Sequence, residues 1–201
     1  MALIYFFEMT ATLSGLLNNY LIVRENIWNW LFGILTVSIY AVIFFHVKLY
    51  ADMGLQLIFF SLQFYGLYQW LYGSKQQTAL AITEATKTIW LIAFLSTFIL
   101  FGSIAYLLQH YTDSTTIWID ALTTALSLVA QWMMSKKWIE HWWVWMIVNI
   151  VSINMYLNKH LYFTSILYAI YFFLCVLGYY TWKKRLFNLS FSKTPLLEAC
   201  E

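Results

Sequence analysis

Apolar residues come in long blocks along this chain, not in alternation. Seven stretches stand out, over residues 3–23, 27–46, 50–72, 88–109, 116–134, 138–158 and 161–182, each 19 to 23 residues long. As α-helix, at about 1.5 Å per residue, such stretches match a hydrocarbon core of about 30 Å. The pattern predicts an all-α integral membrane protein of seven transmembrane helices. His46 and Lys48 separate the second and third stretches, and Asn158, Lys159 and His160 separate the sixth and seventh. Links this short make antiparallel neighbours. The stretch from Gly73 to Lys87 is the longest loop and is expected to be partly helical. The residues after Arg185 are polar, hold the only proline, Pro195, and read as a disordered cytoplasmic end.

Composition sharpens the class. The chain is 62% apolar, 21% aromatic and 10% charged, where a soluble domain has about 25% charge. That excludes a soluble globular enzyme and a disordered chain alike. A net charge of +2, with no cluster of Lys or Arg in the first 130 residues, leaves no nucleic-acid footprint. Cys175 lies in an apolar run and Cys200 in the tail, so no disulfide or metal framework is expected. The opening M-A-L-I-Y-F-F-E has no basic region and does not read as a cleaved signal peptide.

The loop charges set an orientation. With seven crossings, Lys48 and Lys159 share the side of the N-terminus, and the other nine Lys and Arg fall opposite. Basic residues concentrate on the cytoplasmic face. The N-terminus is therefore expected outside and the C-terminus in the cytoplasm.

The chain also repeats itself at an offset of 112 residues, without gaps. Thr12 matches Thr124, Leu16 matches Leu128, Ile27 matches Ile139 and Trp30 matches Trp142. G-L-Y-Q-W at Gly66–Trp70 pairs with G-Y-Y-T-W at Gly178–Trp182, and Glu8 stands opposite Asp120. Each unit spans three helices with one helix between them, so the copies are parallel in a 3+1+3 arrangement. The expected organisation is a first repeat over 1–73, a loop and linker helix over 74–112, a second repeat over 113–185 and a tail over 186–201. Parallel repeats about an axis along the membrane normal are a transporter design, with the substrate site near the midplane between them.

Polar residues inside spans are costly and mark an interior or a water path. Glu8, Thr12, Gly15 and Asn19 share one helical face, and Asp120, Thr124, Ser127 and Gln131 repeat the spacing. Thr12, Asn19, Thr124, Ser127 and Gln131 of these stripes, with Trp30 and Tyr40 of the second span, read as pore-lining or gating positions, while the acidic residues near the outer end read as solvated. Close helix packing would also favour such small polar residues. The third span carries Gln56 and Gln63 on one face. The sixth carries Trp142, Trp145, Asn149 and Tyr156 on a broad face, with Asn154 rotated from it, and Tyr168 follows in the seventh. A tryptophan ladder above an amide suits a flat ligand, and cations over Trp gain about 0.5–2 kcal/mol. Trp138 and Trp143 read instead as an interfacial belt. The expected substrate-binding set is Trp142, Trp145, Asn149, Gln56, Gln63, Tyr168, Asn154 and Tyr156. Asn149 stands opposite Val37 and Tyr168 opposite Gln56 in the repeat, an asymmetry that suits an asymmetric ligand.

Other chemistry is missing from the pattern. There is no P-loop and no H-E-x-x-H, no metal is expected, and no basic residue sits mid-span. His46, His110, His141 and His160 fall near span ends and read as solvated interfacial histidines.

R-E-N-I-W-N-W-L-F-G-I, K-L-Y-A-D-M-G-L-Q and Y-G-L-Y-Q-W, with W-W-V-W-M-I-V-N, L-Y-F-T-S-I-L-Y and G-Y-Y-T-W in the second copy, resemble the PnuC-type vitamin transporters of bacteria over residues 8–185. The resemblance implies import of nicotinamide riboside, or of another vitamin such as thiamine or riboflavin, across the inner membrane. It implies facilitated diffusion without a cofactor, with trapping by a separate cytoplasmic kinase. It implies a fold similar to the SWEET sugar transporters, although the spans here lack their prolines, and it admits a homo-oligomer such as a trimer. The pyridinium of the riboside suits Trp142 and Trp145, and its carboxamide and ribose suit Asn149, Gln56 and Gln63. The reading from another class is a non-transporting membrane scaffold or sensor.

Overall fold

The computed structural model describes residues 2–74, 80–112 and 116–193. Those residues form seven helices: α1 (Ala2–Val23), α2 (Asn29–His46), α3 (Tyr50–Tyr72), α4 (Lys87–Tyr111), α5 (Ile117–Ser135), α6 (His141–Asn158) and α7 (Tyr162–Lys193). Six of the seven end within about three residues of the hydrophobic blocks, the usual scatter of helix ends. Lys75, Pro195 and Cys200 lie outside the described residues.

Two expectations fail at the loops. Helix α7 does not stop near Arg185 but runs on to Lys193. No Gly or Pro interrupts K-K-R-L-F-N, and Leu186 packs against a buried cluster that includes Trp182. The described part of the long loop is extended, not helical. Thr83 forms an isolated bridge with Trp138, and the Thr86 hydroxyl caps α4 by accepting from Ile89 N–H at 3.4 Å.

Helix α2 packs against both α1 and α3, and α6 packs against both α5 and α7. Contacts between these two groups run through α1 against α7 and α3 against α5, while α4 packs on α5. Only Ala93 and Ala105 of α4 are buried, and Phe94, Phe98 and Ile99 are each about two-thirds exposed. A soluble monomer rarely shows an apolar face of this extent, so the surface belongs against lipid. Four helices (α2, α4, α5 and most of α7) are long and apolar enough by themselves to cross a membrane. The other three are α1, α3 and α6, rich in Thr, Asn, Gln and Trp.

Details recur 112 positions apart. The non-glycine residues with positive φ are Glu25 (57°) and Lys137 (54°), then Lys48 (62°) and His160 (57°). Each ends a helix as the left-handed residue of a C-terminal cap. Glu25 N–H donates to Ile22 O at 2.9 Å, and Lys137 N–H to Met134 O at 3.0 Å. Buried tryptophans recur likewise. The Trp30 ring occupies the space a Cβ would take at Gly66, and the Trp142 ring does the same at Gly178. Two further bonds cross between the groups. Trp70 Nε1–H donates to Met134 O at 3.3 Å, and Trp182 Nε1–H donates to Ile22 O at 3.0 Å.

Candidate functional site

Polar side chains are buried among the apolar core of the helix assembly. On α3, Gln63 is 5% exposed and lies over Gly33 of α2, where a Cβ would come within 2.6 Å of its amide. Glycine at 33 therefore makes room for this amide between two helices. The residues 112 further on are Trp145 and Cys175, with the large side chain on α6 and the small one on α7. On α6, Asn149 is buried and its Nδ2 donates to Cys175 Sγ at 3.4 Å. A thiol is a weak acceptor, so this amide is held without being well satisfied.

Several buried polar atoms have no protein partner: Gln63 Oε1 on α3, Gln131 Nε2 on α5 and Asn18 Oδ1 on α1. Leaving such a group unpaired costs about 1–3 kcal/mol, and in lipid no bulk water relieves it. A ligand bearing hydroxyl and amide groups would.

Towards the Lys48 end, tyrosines gather. Tyr156 of α6 stacks on Tyr168 of α7 with ring centroids 5.2 Å apart, and Tyr168 meets Tyr171 edge-on at 6.0 Å. Tyr40 of α2 is half-buried and stacks on Phe44 with ring centroids 5.9 Å apart. The Tyr171 hydroxyl reaches across to α1, where it would stand 3.0 Å from a Cβ at Gly15. A side chain at this position would press on the Tyr171 hydroxyl where two helices from different groups meet.

Not every expected residue joins this region. Trp145 is half-buried and packs against both buried clusters, and Gln56 is half-buried on α3. Trp142 is 1% exposed, enclosed by Gly178, His141 and Trp182. Trp30 is as deeply enclosed by Gly66 and Trp70. Both fill notches between helices. Asn154 is exposed, its Nδ2 spent on Ile150 O at 2.9 Å. Thr12 lines a shallow groove of about 390 Å³ with Glu8, Met9 and Leu13. Asn19 donates to Gly15 O and Ser127 to Thr123 O. Thr124 is half-buried on the same helix as Ser127.

One histidine departs from expectation. His46, His110 and His160 are exposed, but His141 is 0% exposed. Its Nδ1 lies 2.8 Å from Trp138 O, and a carbonyl only accepts, so Nδ1 carries the proton. The counterpart of His141 is Asn29, equally buried, whose Nδ2 donates to Asn26 O at 2.6 Å. Both are fixed parts of the helix-start turns.

Sequence reasoning missed the ion cluster at the Glu25 end. Lys137 and Arg185 both donate to the Glu25 carboxylate, the latter at 2.7 Å. Lys137 is 4% exposed, with its ammonium 4.4 Å from the Trp70 ring centroid. Burial pushes this ammonium below its usual range, and the bond to Glu25 offsets part of the shift. Loop lysines normally count as solvated, so only the 112-residue offset of Glu25 and Lys137 signalled the pairing.

Comparison with known proteins places this arrangement. A family described as nicotinamide mononucleotide transporters matches residues 5–184. The chain is 27% identical over 201 residues to the nicotinamide riboside transporter PnuC of Escherichia coli strain K12, covering 87% of this chain and 84% of that protein. It is 29% identical over 193 residues to the protein of that name from Neisseria mucosa, covering 87% and 70%. A riboflavin/roseoflavin transporter, RibM of Streptomyces davaonensis, is 23% identical over 182 residues, covering 89% and 84%. A crystal structure of the vitamin B3 transporter PnuC superposes with a TM-score of 0.70 at 27% identity, covering 89% of this chain and 81% of the other.

Proposed function

The chain belongs to the nicotinamide mononucleotide transporter family, and from that premise we propose that it is a multi-pass membrane protein transporting nicotinamide riboside. The observation that carries the reading is the set of buried amides on membrane-spanning helices with unpaired atoms, Gln63 and Gln131, beside the weakly held Asn149. A nucleoside with a carboxamide and a ribose supplies the donors and acceptors they lack. Trp145 offers a π face to the pyridinium cation, and the tyrosines at 40, 156 and 168 flank the approach.

The family's description names the mononucleotide, whereas the PnuC relatives are named for the riboside. The residues favour the riboside here. A phosphate monoester carries nearly two negative charges at neutral pH. Among the described residues, Lys137 and Arg185 are engaged by Glu25 at one end, and no Lys or Arg sits mid-span.

The same reading includes finer parts. Helices α1–α3 and α5–α7 are parallel repeats in a 3+1+3 order with α4 between. Paired caps, paired Trp–Gly notches and reciprocal tryptophan bonds, all 112 residues apart, support it. The Glu25 end faces the cytoplasm, in line with its excess of basic residues, and the N-terminus lies outside. The membrane is the bacterial inner membrane. Transport is facilitated diffusion, drawn inward by a cytoplasmic kinase that traps the product, and the protein assembles as a trimer.

Calorimetric titration of the purified protein with nicotinamide riboside tests the substrate, with thiamine, riboflavin and nicotinamide for comparison. Tight binding of the riboside alone is expected. Tight binding of thiamine or riboflavin in its place would move the substrate and keep the fold. Asn149→Leu is expected to abolish binding while leaving the unfolding temperature within a few degrees of the parent. Binding that survives this change would remove Asn149 from the site. A scaffold or sensor would show no saturable flux in liposomes.

A further inference from the structure

We infer that the extended segment 80–86 is a cytoplasmic gate strap, which must lift from its seat beside the Glu25–Lys137–Arg185 cluster before transported solute can leave. This rests on the transport reading and orientation proposed above.

The strap joins the two helical groups. It follows α3, yet its backbone pairs with the α5–α6 turn. Thr83 N–H donates to Lys137 O at 3.1 Å, and Ile139 N–H donates to Thr83 O at 3.0 Å. Ala85 N–H is held by both oxygens of the Glu140 carboxylate at 2.9 Å. Ile82 is 3% exposed and sits in one buried cluster with Ile22, Trp30 and Trp70 of one group and Met134, Ile139 and Trp182 of the other. It is a wedge shared by both, so the groups cannot part at this end while it stays in place.

Side-chain bonds from Trp70, Trp182, Lys137 and Arg185 cross between the groups at the strap end. The structure is thus latched at the strap end. Ala81 and Ile82 line an open recess of about 330 Å³ with Glu25, Arg185 and Asn188 on one flank of the strap. A seven-residue strap held by three backbone anchors, the Ile82 wedge and the packing of Leu80 and Ala85 can lift without melting a helix.

Two arms test this on the full chain carrying Cys200→Ser. In the first, Thr83→Cys and Trp138→Cys are combined across the bridge and oxidised to a disulfide. Riboside binding is expected to persist while flux into liposomes falls about tenfold, a coupling of ordinary size, and reduction restores it. A cross-linked protein that transports as fast as its reduced form overturns the proposal. The second arm needs no transported solute. Ile82→Cys is labelled with a water-soluble maleimide with and without Glu140→Ala. Removing the carboxylate anchor is expected to speed labelling about tenfold, and an unchanged rate overturns the proposal. Absence of riboside flux in the unsubstituted chain would overturn the transport reading instead, and the labelling arm would still judge the strap.

Discussion

At the residue scale, the glycines separate packing from propensity. Gly66 and Gly178 each lie under a tryptophan ring that a methyl group would strike. Gly54 has open space around its Cβ position. Gly178→Ala is therefore expected to destabilise by about 1–3 kcal/mol through overpacking. Gly54→Ala is expected to stabilise α3 by about 0.5–1 kcal/mol, because glycine is a poor helix former. Unfolding midpoints of the two variants, followed by tryptophan fluorescence in detergent, check both signs. G-L-Y-Q-W and G-Y-Y-T-W were visible as a repeated motif. That the glycine is the notch for the tryptophan 36 residues earlier was not, because the partner lies on another helix.

At the element scale, the turns carry the unusual backbone. Lys48 adopts φ 62° and is exposed. A left-handed conformation costs an L-residue about 1–2 kcal/mol, and glycine is the usual occupant of such a cap. Lys48→Gly is expected to raise stability by up to about 1 kcal/mol, read as a higher unfolding temperature at unchanged riboside affinity. A lower temperature would mean that the lysine holds the turn by a contact of its own. Helix α7 makes the complementary point. Its hydrophobic block ends near Trp182, but the helix continues because Arg185 reaches Glu25 and Leu186 packs inward. Hydropathy marks where lipid ends, which is not where a helix must end.

On the scale of the whole molecule, the Glu25 cluster joins the two groups. Lys137 is buried, so removing its counter-charge leaves an uncompensated ammonium. Glu25→Ala is expected to cost about 3–5 kcal/mol. Adding Lys137→Met is expected to recover much of that, since the charge needing a partner is then gone. Chemical unfolding of the single and double variants measures the difference. Equal instability of both would show that the loss comes from the turn backbone and not from the charge. The reciprocal bonds of Trp70 and Trp182 are worth about 1 kcal/mol each. Trp70→Phe and Trp182→Phe should therefore cost similar amounts, each read as a fall in the unfolding midpoint.

By itself the sequence determined the class, the seven helices and, except for the end of α7, their ends to a few residues, because lipid imposes one simple rule on every crossing segment. The 112-residue repeat was legible for the same reason: Trp30 and Trp142, Gly66 and Gly178 stand out in an aliphatic background. Gln63 and Asn149 were legible too, since amides inside apolar blocks are conspicuous. Direction was not. Whether Trp142 faces a ligand or a glycine notch, whether Asn154 points in or out, and whether His141 and Lys137 are solvated or enclosed depend on how helices rotate and which turns meet. Those are long-range choices, made by packing between residues far apart in the chain. The strap over 80–86 belongs with them, because its few apolar residues carry no period of their own and find their place only where two groups of helices already meet.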